Sequence, residues 1–302
     1  VTTARTTLTP AHLLLAIAVM AVWGSNFVVI KFALAHLPPL TLAALRFTAV
    51  FLPAAFFLKR PQASWANLAA YGLLIGAGQF GTLFIALRAD VTPGLASLIM
   101  QTQVFFTIGL SMWLTGERLK LVQIVALLLA VGGLAVILTH TDGSITLLGL
   151  GLLLIAALSW SGGNMVSRAA GKVDMLAYVV WSSVFAVPPL LALAFICEGS
   201  TSMLHGIRSA DAVTWAAVAW QAVGNAMFGY GVWGWMLARY PAATVAPLAL
   251  LVPVFGMTAS AAVLGEPMQG WKLIAAALVM SGLALGILWP RIAQRFVQGE
   301  PV

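Results

Sequence analysis

The 302-residue chain is 62% hydrophobic and 8% charged, with a mean hydropathy of +1.02 and a formal net charge of +7. A soluble domain carries roughly 25% charged residues because its surface meets water, so this chain cannot coat itself for water and its main solvent is lipid. The basic excess is scattered, with no run longer than Lys59-Arg60, which argues against nucleic acid as a partner and fits short membrane loops.

A spanning helix needs about 20 mostly apolar residues. In chain order, ten stretches qualify: 11–31, 40–58, 66–88, 92–115, 121–139, 146–167, 175–197, 212–237, 242–264 and 271–290. The first runs through Gly24-Ser25-Asn26 into Phe27-Val28-Val29-Ile30 without a small-residue cleavage pattern, so it is expected to be a retained helix. Short turns with Pro, Gly or a charge separate most stretches, as at Pro38-Pro39, Lys59-Arg60-Pro61, Gly116-Glu117-Arg118 and Gly265-Glu266-Pro267. The longest connection, 198–211, is the one expected to carry structure of its own. Cys197 is alone, so no internal disulfide forms. His12, His36, His140 and His205 are far apart near the ends of apolar stretches and read as solvated loop residues, so no metal or other cofactor is expected.

Lys and Arg are retained on the cytoplasmic side of a membrane. With the N-terminus inside, the inner set is Arg5, Lys59, Arg60, Arg118, Lys120, Arg168, Lys172, Arg239, Arg291 and Arg295, against Lys31, Arg88, Arg208 and Lys272 outside. Ten against four predicts cytoplasmic termini. Trp65, Trp113, Trp215, Trp271 and Trp289 fall near helix ends, as an interfacial belt requires, whereas Trp23, Trp160, Trp181 and Trp233 lie deeper.

The halves 1–140 and 141–302 echo each other at an offset of about 150 residues. Gly116-Glu117 with Gly133-Leu134-Ala135 recurs as Gly265-Glu266 with Gly282-Leu283-Ala284, Val104-Phe105 as Val254-Phe255, and Trp23-Gly24-Ser25-Asn26 is echoed at Trp160-Ser161-Gly162-Gly163-Asn164. Five spans per half is an odd number, so the second half enters from the opposite side. The expected fold is therefore all-α, with ten transmembrane helices in two inverted five-helix repeats forming one transport unit. Inverted repeats let a central site open alternately to each side.

Several stretches resemble the EamA-type exporters of the drug/metabolite transporter superfamily. They are Trp23-Gly24-Ser25-Asn26-Phe27, Leu45-Arg46-Phe47, Gly94-Leu95-Ala96-Ser97, Gln101-Thr102-Gln103, Gly116-Glu117-Arg118-Leu119, Gly229-Tyr230-Gly231 with Trp233-Gly234, and Val245-Ala246-Pro247-Leu248 through Val252-Pro253-Val254. The similarity covers nearly the whole chain and is nearest the branch exporting cysteine and O-acetylserine and the related YddG-like amino-acid exporters. Gln103 stands where many members carry proline, as Pro253 does in the second half. The resemblance implies an inner-membrane carrier that exports amino acids or related metabolites and acts as a monomer. Importers, drug pumps and sugar-phosphate carriers belong to the same superfamily, so the substrate stays open.

Polar side chains inside hydrocarbon are costly unless they face a cavity or one another. That singles out Asn26, Gln79, Gln101, Gln103, Asn164, Asn225 and Tyr230, with Ser25, Thr82 and Ser161, in the company of Trp23, Trp160 and Trp233. Neutral amides beside aromatics suit a zwitterion with a modest side chain. The bland alternative is that each amide bonds a neighbouring helix. Arg46, inside the second stretch, either meets a substrate carboxylate or serves structure, and structure is the favoured reading. Glu117 and Glu266 read as turn and interface elements. No Asp or Glu falls mid-span, so facilitated export is expected rather than strict proton antiport. An intramembrane enzyme lacks its nucleophile, base or metal cluster, and a channel would not saturate with trans-stimulation.

Overall fold

The computed structural model describes residues 8–115, 121–140, 143–240 and 242–298. The Gly116-Glu117-Arg118 turn, Arg5 and Lys120 lie outside the described residues. The helices, in order, are α1 (Pro10–Ala33), α2 (Pro39–Ala55), α3 (Trp65–Ala89), α4 (Pro93–Leu114), α5 (Leu121–Leu138), α6 (Leu147–Ala169) and α7 (Met175–Cys197). A short α8 (Ser200–Ser209) precedes α9 (212–239), α10 (Ala246–Leu264) and α11 (Gly270–Gln298). Among the described residues, eight of these are long and apolar enough to cross a membrane; α2 is shorter at 17 residues, and α9 changes its winding midway. The protein is an all-α, multi-span membrane protein.

Local chemistry sets most helix starts. Proline occupies the first turn of α1, α2 and α4, where its missing N–H is no loss. Thr9, Ser64, Thr146, Asp174 and Asp211 accept from the amide three residues on, capping α1, α3, α6, α7 and α9. The connection at 198–211 does have structure, since it contains α8, and α10 ends on Gly265 in the left-handed region at φ +68°.

Side-chain contacts sort the helix ends into two faces. On the face where α1 begins, His12 bonds Tyr240 at the end of α9, and Trp181 in α7 donates to Leu58 O beyond α2. There Asn67 in α3 donates to Val166 O of α6 and accepts from Tyr178 of α7. On the distal face, Glu198 after α7 accepts from the Leu40 and Thr41 amides at the start of α2, and His36 bonds Thr214 at the start of α9. His140 stacks on Trp271. Three of the histidines read as solvated loop residues therefore tie helix ends together: an imidazole beside an aromatic ring or a hydroxyl gains a partner that sequence distance hides. Trp181 lines no central site; it packs edge-on against Phe51 and Trp65.

Small residues bring helices into backbone contact. A Cβ on Gly72 of α3 would lie 2.2 Å from Ser182 O of α7, one on Gly76 would lie 2.3 Å from Ala186 Cβ, and one on Gly282 of α11 would lie 2.5 Å from Ala126 O of α5. Gly72, Gly76 and Gly282 thus serve close helix packing. Gly72→Ala should lower stability by about 1–3 kcal/mol through overpacking, whereas Gly132→Ala, with no neighbour within 4 Å, should not. Thermal unfolding in detergent compares the two.

Candidate functional site

Half-way through α3 and α9 the winding loosens to π-helical turns, at Leu74–Gly81 and Gln221–Tyr230. In α4 and α10 it tightens to 3₁₀ turns at Met100–Thr102 and Ala246–Leu250. Irregular turns inside membrane helices free backbone groups and re-aim side chains, which is tolerated where the chain lines a cavity. These turns flank a cavity of about 60 Å³ in the middle of the bundle.

Of the ten pocket residues singled out in the sequence, seven line this cavity: Trp23 and Asn26 from α1, Gln79 from α3, Gln101 from α4, Trp160 from α6, and Asn225 and Tyr230 from α9. The other three form its surround. Gln103 Oε1 accepts from Asn164 Nδ2 at 3.1 Å, and the Gln103 carbonyl accepts from Ser161 Oγ at 2.7 Å, joining α4 to α6. Trp233 packs on Trp23 with ring centroids 5.5 Å apart. Ser25 and Thr82 spend their hydroxyls on carbonyls of their own helices. Phe80, Met100, Leu83, Ile30 and Val252 also line the cavity and carried no polar signal that sequence reading could use.

The Trp23 indole donates to Asn225 O at 3.2 Å, across from α1 to α9. Gly229 makes that possible, because a Cβ there would fall 2.3 Å from Trp23 Nε1. Arg46 is 1% exposed and stands behind the cavity wall. Its Nη2 donates to Asn225 Oδ1 at 3.0 Å, and its guanidinium lies 3.5 Å from the centroid of Phe80. Guanidinium has donors only, so Asn225 Oδ1 must face Arg46 and the two Nδ2 hydrogens turn away from it. Asn26 Oδ1 and Gln79 Oε1 are buried acceptors with no partner among the described residues.

Exposure grades across the site. Asn26, Gln79, Gln101 and Asn225, on the distal side, are buried, while Trp23, Gln103, Trp160, Asn164, Tyr230 and Trp233 are half-buried. The distal side is sealed by close packing, with Gly24 against Val252 O and Gly256 against Ser97. Beyond that seal, Glu266 accepts from Thr92 Oγ1 at 2.6 Å, from the Gly94 amide at 3.1 Å, from Ser260 Oγ and from Lys272 Nζ at 3.1 Å. One carboxylate thereby joins the start of α4 to α10 and α11.

Burial alone would push the Glu266 carboxyl up, but hydrogen bonds from Ser260, Thr92 and Lys272, with the Lys272 charge, outweigh it and hold it below its ordinary 4.5. A depressed carboxyl adds stability that is complete above its unfolded pKa and is lost as pH falls through its folded one. The melting temperature should therefore hold from neutral pH to about 5 and drop below about 4, and Glu266→Gln should flatten part of that drop. Melting curves across pH for both proteins check this.

The helices long and apolar enough to cross a membrane surround a central cavity whose mostly apolar walls carry a few neutral amides, the arrangement of a membrane transporter. The EamA-like transporter family profile matches residues 11–139 and 147–288, and the chain belongs to that family. A Salmonella typhimurium protein described as a probable amino-acid metabolite efflux pump is 39% identical over 284 residues, which cover 92% of this chain and 95% of that protein. The Escherichia coli protein of the same description is 39% identical over 279 residues, 90% and 93% of the two chains. A solved crystal structure at 22% identity superposes with a TM-score of 0.60 over 95% of this chain and 99% of the other, a likeness of fold alone.

Proposed function

We propose that this protein exports amino acids or close derivatives across a bacterial inner membrane by alternating access, with the central cavity as its substrate site. The observation that carries the reading is the arrangement of unpaired polar atoms around that cavity. Asn225 Nδ2, turned away from Arg46, offers donors to a carboxylate, and Asn26 Oδ1 and Gln79 Oε1 offer acceptors to an ammonium group. No Asp or Glu lines the cavity, so a bare cation has no counter-charge there. Trp23, Trp160 and Tyr230 supply flat apolar walls for a modest side chain. Arg46 acts through Asn225 and does not itself touch the substrate. The description of the two efflux-pump relatives supports the same chemistry, and the likeness to exporters of cysteine, O-acetylserine and other amino acids sets the first panel to test.

The proposed architecture is ten crossings in two inverted repeats, roughly 1–140 and 141–302, working as a monomer with both termini cytoplasmic. Three observations support it. The family profile matches twice, in 11–139 and 147–288. The loosened turns of α3 and α9 and the tightened turns of α4 and α10 recur in the same order in each half. The contacts of α2 and α9 run from one face to the other. With the α1 start inside, the half-buried aromatics face the cytoplasm and the sealed side faces outward, an inward-accessible conformation.

The test is uptake of a labelled amino-acid panel into proteoliposomes, with and without a pH gradient. Alanine at Asn26, Gln79, Gln101 or Asn164 should raise the half-saturation concentration several-fold, at about 1 kcal/mol or more per lost hydrogen bond. Unchanged transport in all four variants would remove the cavity from consideration as the site. Transport that needs a pH gradient and collapses with uncoupler would contradict facilitated export.

A further inference from the structure

A cleft of about 500 Å³ separates α5 from α4 and α6. It exists because α5 packs elsewhere. Gly133 of α5 meets Val279 of α11 and Gly282 meets Ala126, while α5 makes no extended contact with α4 or α6. Among the described spans α5 is the least buried. Leu127 and Val131 on the cleft wall are exposed, so the cleft opens to the bilayer. Gly109 of α4 borders it, and a Cβ built there would meet nothing within 4 Å.

The walls are hydrocarbon. Phe105, Phe106, Leu134 and Leu158 are typical of them, and Thr102, the one polar side chain in the lining, gives its hydroxyl to Ile99 O. Water does not settle in an apolar cavity, and an empty one forfeits the dispersion contacts of its lining. A second copy of the chain is a poor filler: the space takes roughly a turn or two of a helix 10–12 Å across, not a span. A flexible acyl chain from the surrounding bilayer fits both the chemistry and the width.

Charge at the two ends of these helices says which lipid. On the face where α1 begins, the sequence joining α4 to α5 holds Arg118 and Lys120, and α6 runs out into Arg168 and Lys172, against Glu117 and Asp174. Arg168 and Lys172 are exposed and form no ion pair among the described residues, and Asp174 accepts from the Ala177 amide. On the distal face the join 139–146 holds Asp142 and no Lys or Arg, beside Asp90, which accepts from Thr146. Leu158 in the cleft lies about 15 Å along α6 from Arg168, about half the thickness of a hydrocarbon core. We infer that the cleft between α4, α5 and α6 binds one acyl chain of an anionic phospholipid, whose headgroup lies among the basic residues on the face where α1 begins. The cleft backs onto the substrate cavity, since Thr102 adjoins Gln103 and Leu158 precedes Ser161, the pair that ties α4 to α6. The bound chain thus braces the wall that carries Gln103 and Asn164.

The test uses the purified full-length protein in a neutral maltoside detergent with no amino acid present, so its failure leaves the transport reading intact. Titrating phosphatidylglycerol should raise the melting temperature saturably, by about 3 °C or more. Phosphatidylcholine with the same chains should need about tenfold more for the same rise. Gly109→Phe, which fills the cleft, should cancel the saturable rise, and Arg168→Gln with Lys172→Gln should narrow the difference between the lipids to about threefold. Should Gly109→Phe fail to fold, the wild-type protein decides the matter: phosphatidylglycerol with a diazirine midway along one chain should crosslink to 102–110, 127–134 and 154–158 above the rest of the apolar surface. An equal response to both lipids, or crosslinks spread evenly over the outer helix faces, overturns the inference. So do crosslinks lost on adding a transported amino acid, which would make the cleft a substrate entrance, and crosslinks displaced by α5 of a second copy.

Discussion

Glu266→Ala should be among the most destabilising single substitutions in this protein, by about 3–5 kcal/mol, the range for removing one partner of a buried ion pair. Lys272 is 1% exposed and would be left buried without its carboxylate partner. Thr92 Oγ1 and the Gly94 amide would also lose their acceptor at the start of α4. Replacing both members, as Glu266→Met with Lys272→Met, should recover the part of the loss that comes from the unpaired lysine, but not the part from Thr92, Gly94 and Ser260, which still lack their acceptor. Thermal unfolding of the two variants and the parent in detergent measures the effect. If the single and double variants melt alike, the pair is not what holds this corner. The same single variant should loosen the distal seal, which thiol labelling of Leu83→Cys in a Cys197→Ser background reports as faster modification from that side.

Asn225→Asp should push stability and substrate affinity in opposite directions. A carboxylate against the buried guanidinium becomes a charge-assisted pair in place of a neutral amide contact, and such bonds are roughly twice as strong. The melting temperature should rise. The same change removes the Nδ2 donors from the cavity and sets a negative charge where a substrate carboxylate is to bind. Affinity for a zwitterionic amino acid should fall by at least tenfold, on the order of 1.4 kcal/mol, while the matching amine without a carboxylate gains. Asn225→Ala, by contrast, should lower both, since Arg46 then loses its side-chain hydrogen-bond partner. A fall in stability for Asn225→Asp would mean that the amide does not face Arg46 as described.

Much of the site was legible because helical periodicity survives in the first span. Trp23, Asn26 and Phe27 share a face at spacings of three and four, and all three line the cavity. Periodicity fails where the winding changes. The π-helical turn at Gln221–Tyr230 shifts every later residue of α9 around the axis, so Asn225 and Tyr230 reach the cavity while Trp233 packs behind on Trp23. No residue type announces such a turn.

Arg46 shows a second limit. Its place in an apolar stretch marked it as unusual, but its partner is Asn225, 179 residues away, and only the fold brings them together. Glu266 is the reverse case. Its position beside Gly265 identified an interface element, yet its partners Thr92 with Gly94, Ser260 and Lys272 come from three separate segments. Trp181 looked like its pocket neighbours by depth and hydrophobicity, and rotation about α7 turned it to Leu58 O instead. Glu117, the counterpart of Glu266 in the first half, lies outside the described residues.

The central claim is that one central cavity carries a zwitterionic substrate across the membrane by opening to each side in turn. Counterflow tests it most directly: proteoliposomes preloaded with an unlabelled neutral amino acid, then given the labelled form outside. A carrier with this site predicts saturable uptake accelerated by internal substrate, retained when the pH gradient is abolished and shifted to a several-fold higher half-saturation concentration in Asn26→Ala and Gln79→Ala. Uptake that rises linearly with concentration and ignores internal substrate would contradict it.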